Sequence, residues 1–318
     1  MKIIITGGLG HIGSHLIRDL PLLLNGLEIT VIDNLLTQRY TSLFKLPKTS
    51  KVNFIEADIT KNPLTEVFQQ ADSVIHLAAI TDAARSFSHP EEMESVNFAA
   101  SKRVIDTCIK TQTALILLSS TSVYGTKQAT IDEYCSPEEL KAQTPYAATK
   151  LLEEALVAEK CQQGDLQAMI FRFGTIFGTS AGMRFHTAVN KFCWQAVMGT
   201  PLSIWKTAYQ QKRPYLGLND ATKAIAFILK KQLFDGQVYN AVSINATVKD
   251  VVNEIQHWLP DIHLDFVDNQ AMNTLSYEVL NTRLSQAGLT LGQHTLAQGV
   301  SDTIQLLHNQ SFQNKQLS

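Results

Sequence analysis

The chain has 318 residues, 45% of them hydrophobic, and its 27 Lys and Arg against 29 Asp and Glu give a formal net charge of -2. That is enough apolar material for a large core, one α/β domain carrying a smaller second lobe, and it excludes a small peptide binder. No basic run follows a nucleic-acid backbone, no apolar run reaches the roughly eighteen residues of a membrane span, and MKIIITGG lacks a signal-peptide pattern, so a cytoplasmic protein without nucleic-acid or membrane partners is expected.

In chain order, short β-branched runs alternate with helical periods. KIIIT (2–6), EITVID (28–33), VNFIEADI (52–59), DSVIHLA (72–78), ALILLSS (114–120) and QAMIFRFG (167–174) are near-continuous apolar runs, the pattern of strands buried on both faces of a parallel sheet. Pro21 in HLIRDLPLLLNG has no N–H to donate, which predicts that the first helix ends or kinks near Leu20. Beyond about residue 175 the pattern is less regular, but RPYLGLNDATKAIAFIL and QVYNAVSI predict one more helix and strand returning to the sheet. The expected fold is α/β, a doubly wound parallel sheet over 1–174 with a smaller, interleaved C-terminal lobe over 175–318, whose segment near 213–243 rejoins the first domain. Ligands of such sheets sit beyond the carboxyl ends of the strands. The end SFQNKQLS reads as a loose tail. Cys108, Cys135, Cys161 and Cys193 are scattered, with no C-x-x-C pair and no histidine at ligand spacing, which points to reduced thiols and to no metal.

TGGLGHIGSH (6–15) follows the first strand and opens a helix. Gly7, Gly10 and Gly13 let the backbone turn tightly, let a pyrophosphate approach the helix N-terminus, and let helix and sheet pack closely. A glycine triplet alone also fits a plain tight turn. Asp33 adds to it: it ends the second strand, twenty residues after Gly13, where a carboxylate accepts hydrogen bonds from the adenosine ribose and repels a 2′-phosphate. NAD is therefore favoured over NADP, the alternative being that Asp33 and Asn34 merely start a turn.

Two later segments carry chemistry. LLSSTSVYG (117–125) ends the fifth strand with hydroxyls at Ser119, Ser120, Thr121 and Ser122, and TPYAATK sets Tyr146 and Lys150 four apart on one helix face. Y-x-x-x-K alone is common in helices. Behind a dinucleotide loop it acquires a mechanism, because Lys150 and a charged nicotinamide both favour the phenolate of Tyr146. Lowering a tyrosine from a pKa of about 10 toward about 7 asks for roughly 4 kcal/mol. Tyr146 would then exchange the proton of a substrate hydroxyl while hydride passes to or from the nicotinamide, and Ser120 would hold that oxygen.

Together these motifs resemble the extended short-chain dehydrogenase/reductases, especially the NAD-dependent sugar-nucleotide epimerase/dehydratase branch (UDP-galactose 4-epimerase-like). The resemblance runs nearly end to end through TGGLGHIGSH, VIDN, EADIT, HLAA, VNFAAS, SSTSVYG, YAATK, RFGTIFG and RPYLGLND. It implies a Rossmann-like domain whose cofactor meets Gly7, Gly10, His11, Ile12, Gly13, Asp33 and Asn34, with Asp58 and Ile59 flanking the adenine and Leu77, Ala78, Ala79, Asn97 and Phe173 along the rest. It makes Ser120 the catalytic hydroxyl beside Tyr146 and Lys150, which also contact the cofactor. It places Thr81, Arg85, Ser120, Thr121, Thr175, Asn190 and Arg213 toward the substrate, Arg213 because RPYLGLND resembles the segment whose arginine holds a substrate phosphate. A homodimer through a four-helix bundle, from helices near 92–111 and 145–162, is also implied.

His76 ends an apolar strand and reads as a core histidine; Arg85, Ser86 and His89, like Arg184 in GMRFH, fit either a substrate-facing or a solvent-facing loop. Two departures bear on substrate. Ser120-Thr121-Ser122 stands where many dehydratases of the branch carry Thr-Asp-Glu, and Thr175 replaces the asparagine of an Arg-Phe-x-Asn element. No serine-hydrolase motif such as G-x-S-x-G occurs. The expected activity is NAD-dependent epimerisation of a nucleotide sugar at C4 through a transient keto sugar. The alternatives are a sugar-nucleotide dehydrogenase, reductase or decarboxylase, and an NAD-sensing protein, which has no need of Tyr146, Lys150 and Ser120 together.

Overall fold

The computed structural model describes residues 1–48, 51–81, 90–125, 128–268 and 275–308, with 90–95 as backbone. Its first half runs β1 (Lys2–Thr6), α1 (His11–Leu23), β2 (Glu28–Asp33), β3 (Lys51–Glu56), α2 (Thr65–Phe68), β4 (Ser73–His76), α3 (Pro90–Thr111), β5 (Ala114–Ser120), β6 (Thr130–Ile131), α4 (Pro145–Gln162) and β7 (Ala168–Phe173). The second half continues with β8 (Thr175–Phe177), α5 (Ala188–Val197), β9 (Leu202–Trp205), β10 (Lys212–Gly217), α6 (Leu218–Lys231), β11 (Val238–Ala241), β12 (Ile244–Thr247) and α7 (Val248–Trp258). It closes with β13 (Leu264–Val267), β14 (Glu278–Val279), α8 (Thr282–Gln286) and α9 (Leu296–His308).

Seven strands form a parallel sheet in the order β3-β2-β1-β4-β5-β7-β11. Alternation of side chains along β1 explains why both faces are covered. Ile3 and Ile5 pack with Leu16, Ile17 and Leu20 of α1 and with Ile225 and Ile228 of α6. Ile4 points the other way, into a cluster with Val104 and Ile105 of α3 and Val157 of α4. Each such side chain contributes about 1.5–3 kcal/mol when taken from water. The doubly wound architecture expected from the apolar runs is the one observed, and α6 and β11 do rejoin the sheet, β11 pairing in parallel with β7.

Two boundaries differ from expectation. α1 passes through Pro21 and ends at Leu23, because the proline removes only its own N–H while the Leu24 N–H still reaches the Leu20 carbonyl at 2.9 Å. β3 stops at Glu56, since Asp58 Oδ1 accepts the Thr60 N–H at 2.9 Å and turns the chain. Outside the main sheet, β12-β10-β8 form one small sheet, and the pairs β13-β9 and β14-β6 two others. A separate core of Phe177, Phe192, Tyr215, Val251, Ile255 and Val300 lies among α5, α7 and α9. No helix among the described residues is long and apolar enough to cross a membrane. The predicted tail at 311–318 falls outside the described residues.

Candidate active site

Strand order reverses at β1, whose neighbours are β2 on one side and β4 on the other, so a crevice opens beyond their carboxyl ends. The glycines sit there for steric reasons. Gly7 has φ +67°, and a Cβ on it would lie 2.7 Å from the Ala78 backbone after β4. A Cβ on Gly13 would lie 2.5 Å from Gly8 Cα, so α1 approaches the loop as closely as two backbones allow. Gly10 caps α1, and no side-chain hydrogen bond caps that helix end. The N–H groups and positive dipole end of the first turn therefore face the crevice with no acidic residue of α1 itself beside them.

Asp33 ends β2 with its carboxylate already engaged: Oδ2 accepts the Leu9 N–H at 3.1 Å and Oδ1 the Leu35 N–H at 3.0 Å. Asn34 Oδ1 takes the Leu36 N–H at 3.1 Å, so the turn reading and the binding reading describe the same residues. Arg39, absent from the expectations, reaches this corner. Its Nη1 is 3.9 Å from where a Gly10 Cβ would stand, burial depresses its pKa and Asp33 opposes that shift. The only sequence signal was a lone arginine six residues after Asp33. Asp58 spends its carboxylate on Thr60 and on Lys61 at 3.4 Å, which hold it below the usual carboxylate range, and Ile59 is buried in the core. Leu77, Ala78 and Ala79 follow β4 half-buried. Asn97, 2% exposed, clips that loop to α3 by pairing both amide atoms with the Ile80 backbone, at 2.8 and 2.9 Å.

The catalytic candidates come from β5 and α4. Thr144 accepts the Ala147 N–H at 3.1 Å and Pro145 occupies the first helical position, which fixes the start of α4 and puts Tyr146 in its first turn. That helix packs against the single turn Thr121–Val123 that follows β5. Ser120 caps this turn, and its Oγ accepts from the Ser122 N–H at 3.2 Å and the Ser122 hydroxyl at 2.9 Å. Thr121 differs from expectation: it is 4% exposed and its hydroxyl donates to the Phe173 carbonyl at 3.3 Å, away from any open surface. Lys150 is 4% exposed, with Nζ 5.8 Å from the Tyr146 ring centroid and 2.8 Å from Glu153 Oε2. Burial opposes its charge, but Glu153 and Tyr146 outweigh burial and hold its pKa above the ordinary lysine value.

Next to Lys150 and Glu153 on α4 lies a second buried pair. Arg172 on β7 donates through Nε and Nη2 to Glu154 on α4, with the shortest contact 2.6 Å, and through Nη1 to the Tyr124 hydroxyl at 3.1 Å. Ser119 donates to Glu154 at 2.5 Å and Tyr124 to Asn240 at 2.9 Å. His76 is buried between Thr6 at 2.7 Å and Ser101 at 3.0 Å, and burial with the nearby Lys150 charge pushes its pKa down to about 3. It is a core histidine, as the sequence suggested.

The substrate-side candidates divide. Thr81 accepts a hydrogen bond from Arg184, which brings the loop after β8 to the loop after β4. His11 Nδ1 pairs with Ser180 at 2.7 Å, Gly182 N–H donates to Ser14 at 2.8 Å, and a Cβ on Gly182 would meet the Leu9 carbonyl at 2.4 Å, so this loop lies directly on the glycine loop. Asn190 and Phe173, expected at ligands, are buried; Asn190 spends its amide on Gly178, Arg184 and His11. Thr175 and Arg213 share the small sheet, where Tyr215 pairs with Thr175. Arg213 donates to the Leu275 and Lys212 carbonyls and to Gln211 at 2.5 Å, and burial depresses its pKa. Arg85, Ser86 and His89 lie outside the described residues.

A family model described as the NAD dependent epimerase/dehydratase family matches residues 3–241. The chain belongs to that family. Members are NAD-dependent enzymes, so NAD is its cofactor. It is 29% identical over 265 residues to an uncharacterised UDP-glucose epimerase, YtcB, of Bacillus subtilis, covering 80% of this chain and 81% of that protein. It is 27% identical to a UDP-N-acetyl-alpha-D-glucosaminuronate decarboxylase of Bacillus cytotoxicus, covering 80% and 79%. Among solved structures, the UDP-glucuronic acid 4-epimerase of Bacillus cereus, in complex with UDP-glucuronic acid and NAD, has the same fold: TM-score 0.86, 23% identity, 98% of this chain and 100% of that one. The geometry of this family member fits the cofactor. Gly7 and Gly13 leave room only for backbone, Gly10 opens the helix end, and Asp33 with Arg39 closes the far corner.

Proposed function

We propose that this family enzyme epimerises a nucleotide sugar at C4 through a transient keto sugar. When bound, NAD supplies the hydride acceptor of the first half-reaction and the donor of the second. Tyr146 takes the proton of the C4 hydroxyl and later returns one, Ser120 Oγ fixes that oxygen, and Lys150 steers the phenol. Arg213 holds the substrate diphosphate from β10, and Arg184 with Thr81 borders the sugar. Residues 1–174 hold NAD and 175–318 mainly the substrate, with 213–243 crossing between them. A cytoplasmic homodimer through α3 and α4 accords with exposed Val96 and Leu152 on those helices.

One observation carries the choice of epimerase: the turn after β5 carries Ser120, Thr121 and Ser122, the Thr121 hydroxyl turned to the Phe173 carbonyl, and none of these three residues is a carboxylic acid that could expel water. The decarboxylase relative keeps a second reading in play, in which the keto intermediate loses carbon dioxide. The test is mass spectrometry of the purified protein for retained NAD, followed by incubation with UDP-, GDP- and dTDP-sugars. Formation of a C4 epimer without net NADH is expected. Net NADH or carbon dioxide release overturns the epimerase reading.

A further inference from the structure

Glu153 lies on α4 with 0% of its surface exposed. Its Oε2 accepts from Lys150 at 2.8 Å, while Oε1 has no hydrogen-bond partner among the described residues. A buried carboxylate satisfied on one side only costs the fold, and an apolar residue of similar volume would pack there without that cost. What the carboxylate does provide is charge, and the charge falls on Lys150.

An ammonium has three N–H donors, so Glu153 engages one and leaves two for other partners. With Glu153 ionised, the Lys150–Glu153 pair carries no net charge, and the pull of the ammonium on the Tyr146 phenol is offset. The neighbouring groups are otherwise engaged. On α4, Glu154 is neutralised by Arg172 from β7 and bonded by Ser119 from β5. On β4, His76 stays neutral. α3, packed along α4, presents Ser101 to His76 and the buried thiol of Cys108, which burial holds protonated.

We propose that Glu153 is a positioning residue of the proton relay: it anchors one N–H of Lys150 and offsets its charge, and so sets how readily the Tyr146–Lys150 pair releases a proton. The inference rests on reading Tyr146 and Lys150 as that relay.

The experiment is a spectroscopic pH titration of the tyrosinate band in the full chain, with the Tyr146 signal isolated by subtracting the matching Tyr146→Phe protein. Glu153→Gln should lower the Tyr146 midpoint by about one unit, the order of the Coulomb interaction with one nearby charge at an effective dielectric of about 20, and Glu153→Asp should keep it near wild type. An unchanged midpoint in Glu153→Gln overturns the proposal. Should circular dichroism show that variant unfolded, the double variant Lys150→Met/Glu153→Leu carries the test. Removing both members of a neutral pair should leave Tyr146 near its wild-type midpoint, whereas Lys150→Met alone should raise it; a double variant displaced as far as Lys150→Met overturns the proposal. If Lys150→Met itself leaves Tyr146 unmoved, the relay reading fails, independently of Glu153.

Discussion

Glu154→Gln tests whether a buried ion pair pins α4 to the sheet. In the native protein the Arg172 guanidinium is 4% exposed, and its Nε and Nη2 both donate to Glu154, at 2.6 to 3.2 Å. Burial opposes the guanidinium, but Glu154 and Tyr124 hold its pKa above the ordinary arginine range. Glutamine keeps one acceptor and removes the charge, so Arg172 is left buried with the Tyr124 hydroxyl and ring, 4.9 Å from Cζ, and the Cys135 thiol as neutral partners. An uncompensated buried charge costs about 3–5 kcal/mol, and the retained acceptor places this variant near the lower end, about 3 kcal/mol. Urea unfolding of Glu154→Gln, Arg172→Met and Glu154→Gln/Arg172→Met forms the cycle. Each single variant should lose about 3 kcal/mol or more and the double variant far less than their sum. A loss below about 1 kcal/mol in Glu154→Gln would give the pair no more weight than a surface ion pair and refute the argument.

Three further outcomes follow from the geometry. His11 and His76 have pKa values pushed down from 6.5 to about 3 by burial, so the folded chain binds fewer protons than the unfolded chain between those values. Stability should therefore be full above pH 6.5 and fall as the pH drops toward 3, by about 2 kcal/mol per histidine at pH 5; equal urea midpoints at pH 7 and pH 5 would contradict this. Asp33→Ser should narrow the preference for NAD over NADP mainly by weakening NAD, because the Leu9 and Leu35 N–H groups lose their acceptor; calorimetry that finds NAD affinity unchanged would count against it. Arg213→Ala should weaken UDP binding by about 1.5–3 kcal/mol and leave NAD binding nearly intact, and an undiminished UDP affinity would exclude Arg213 as the diphosphate clamp.

What the sequence shows and what it hides follow from the range of the forces involved. KIIIT, EITVID and ALILLSS coincide with β1, β2 and β5 because burial on both faces leaves a continuous apolar run. The glycine loop is legible because its steric demand is met within a few residues. Partnerships across the fold are not. Nothing local in the chain marks Glu153 and Glu154 as buried, yet both are, one against a lysine and the other against an arginine on a distant strand. Asn97 and Asn190 look like ligand contacts in the chain, and only the folded structure commits their amides to backbone around the site. The loop carrying Ser180 and Gly182 likewise gave no signal, since its role is to fit against a backbone far earlier in the chain, Ser180 standing 169 positions after His11.

The carboxylate of Asp33 braces the turn on either side of it as well as facing the crevice, through Leu9 in one direction and Leu35 in the other. If the same carboxylate reads the ribose, cofactor choice and loop shape are inherited as one trait. A lineage, or an engineer, seeking a phosphorylated cofactor could not reach it by exchanging that single side chain. The replacement would have to arrive with new support for the two backbone amides that Asp33 holds.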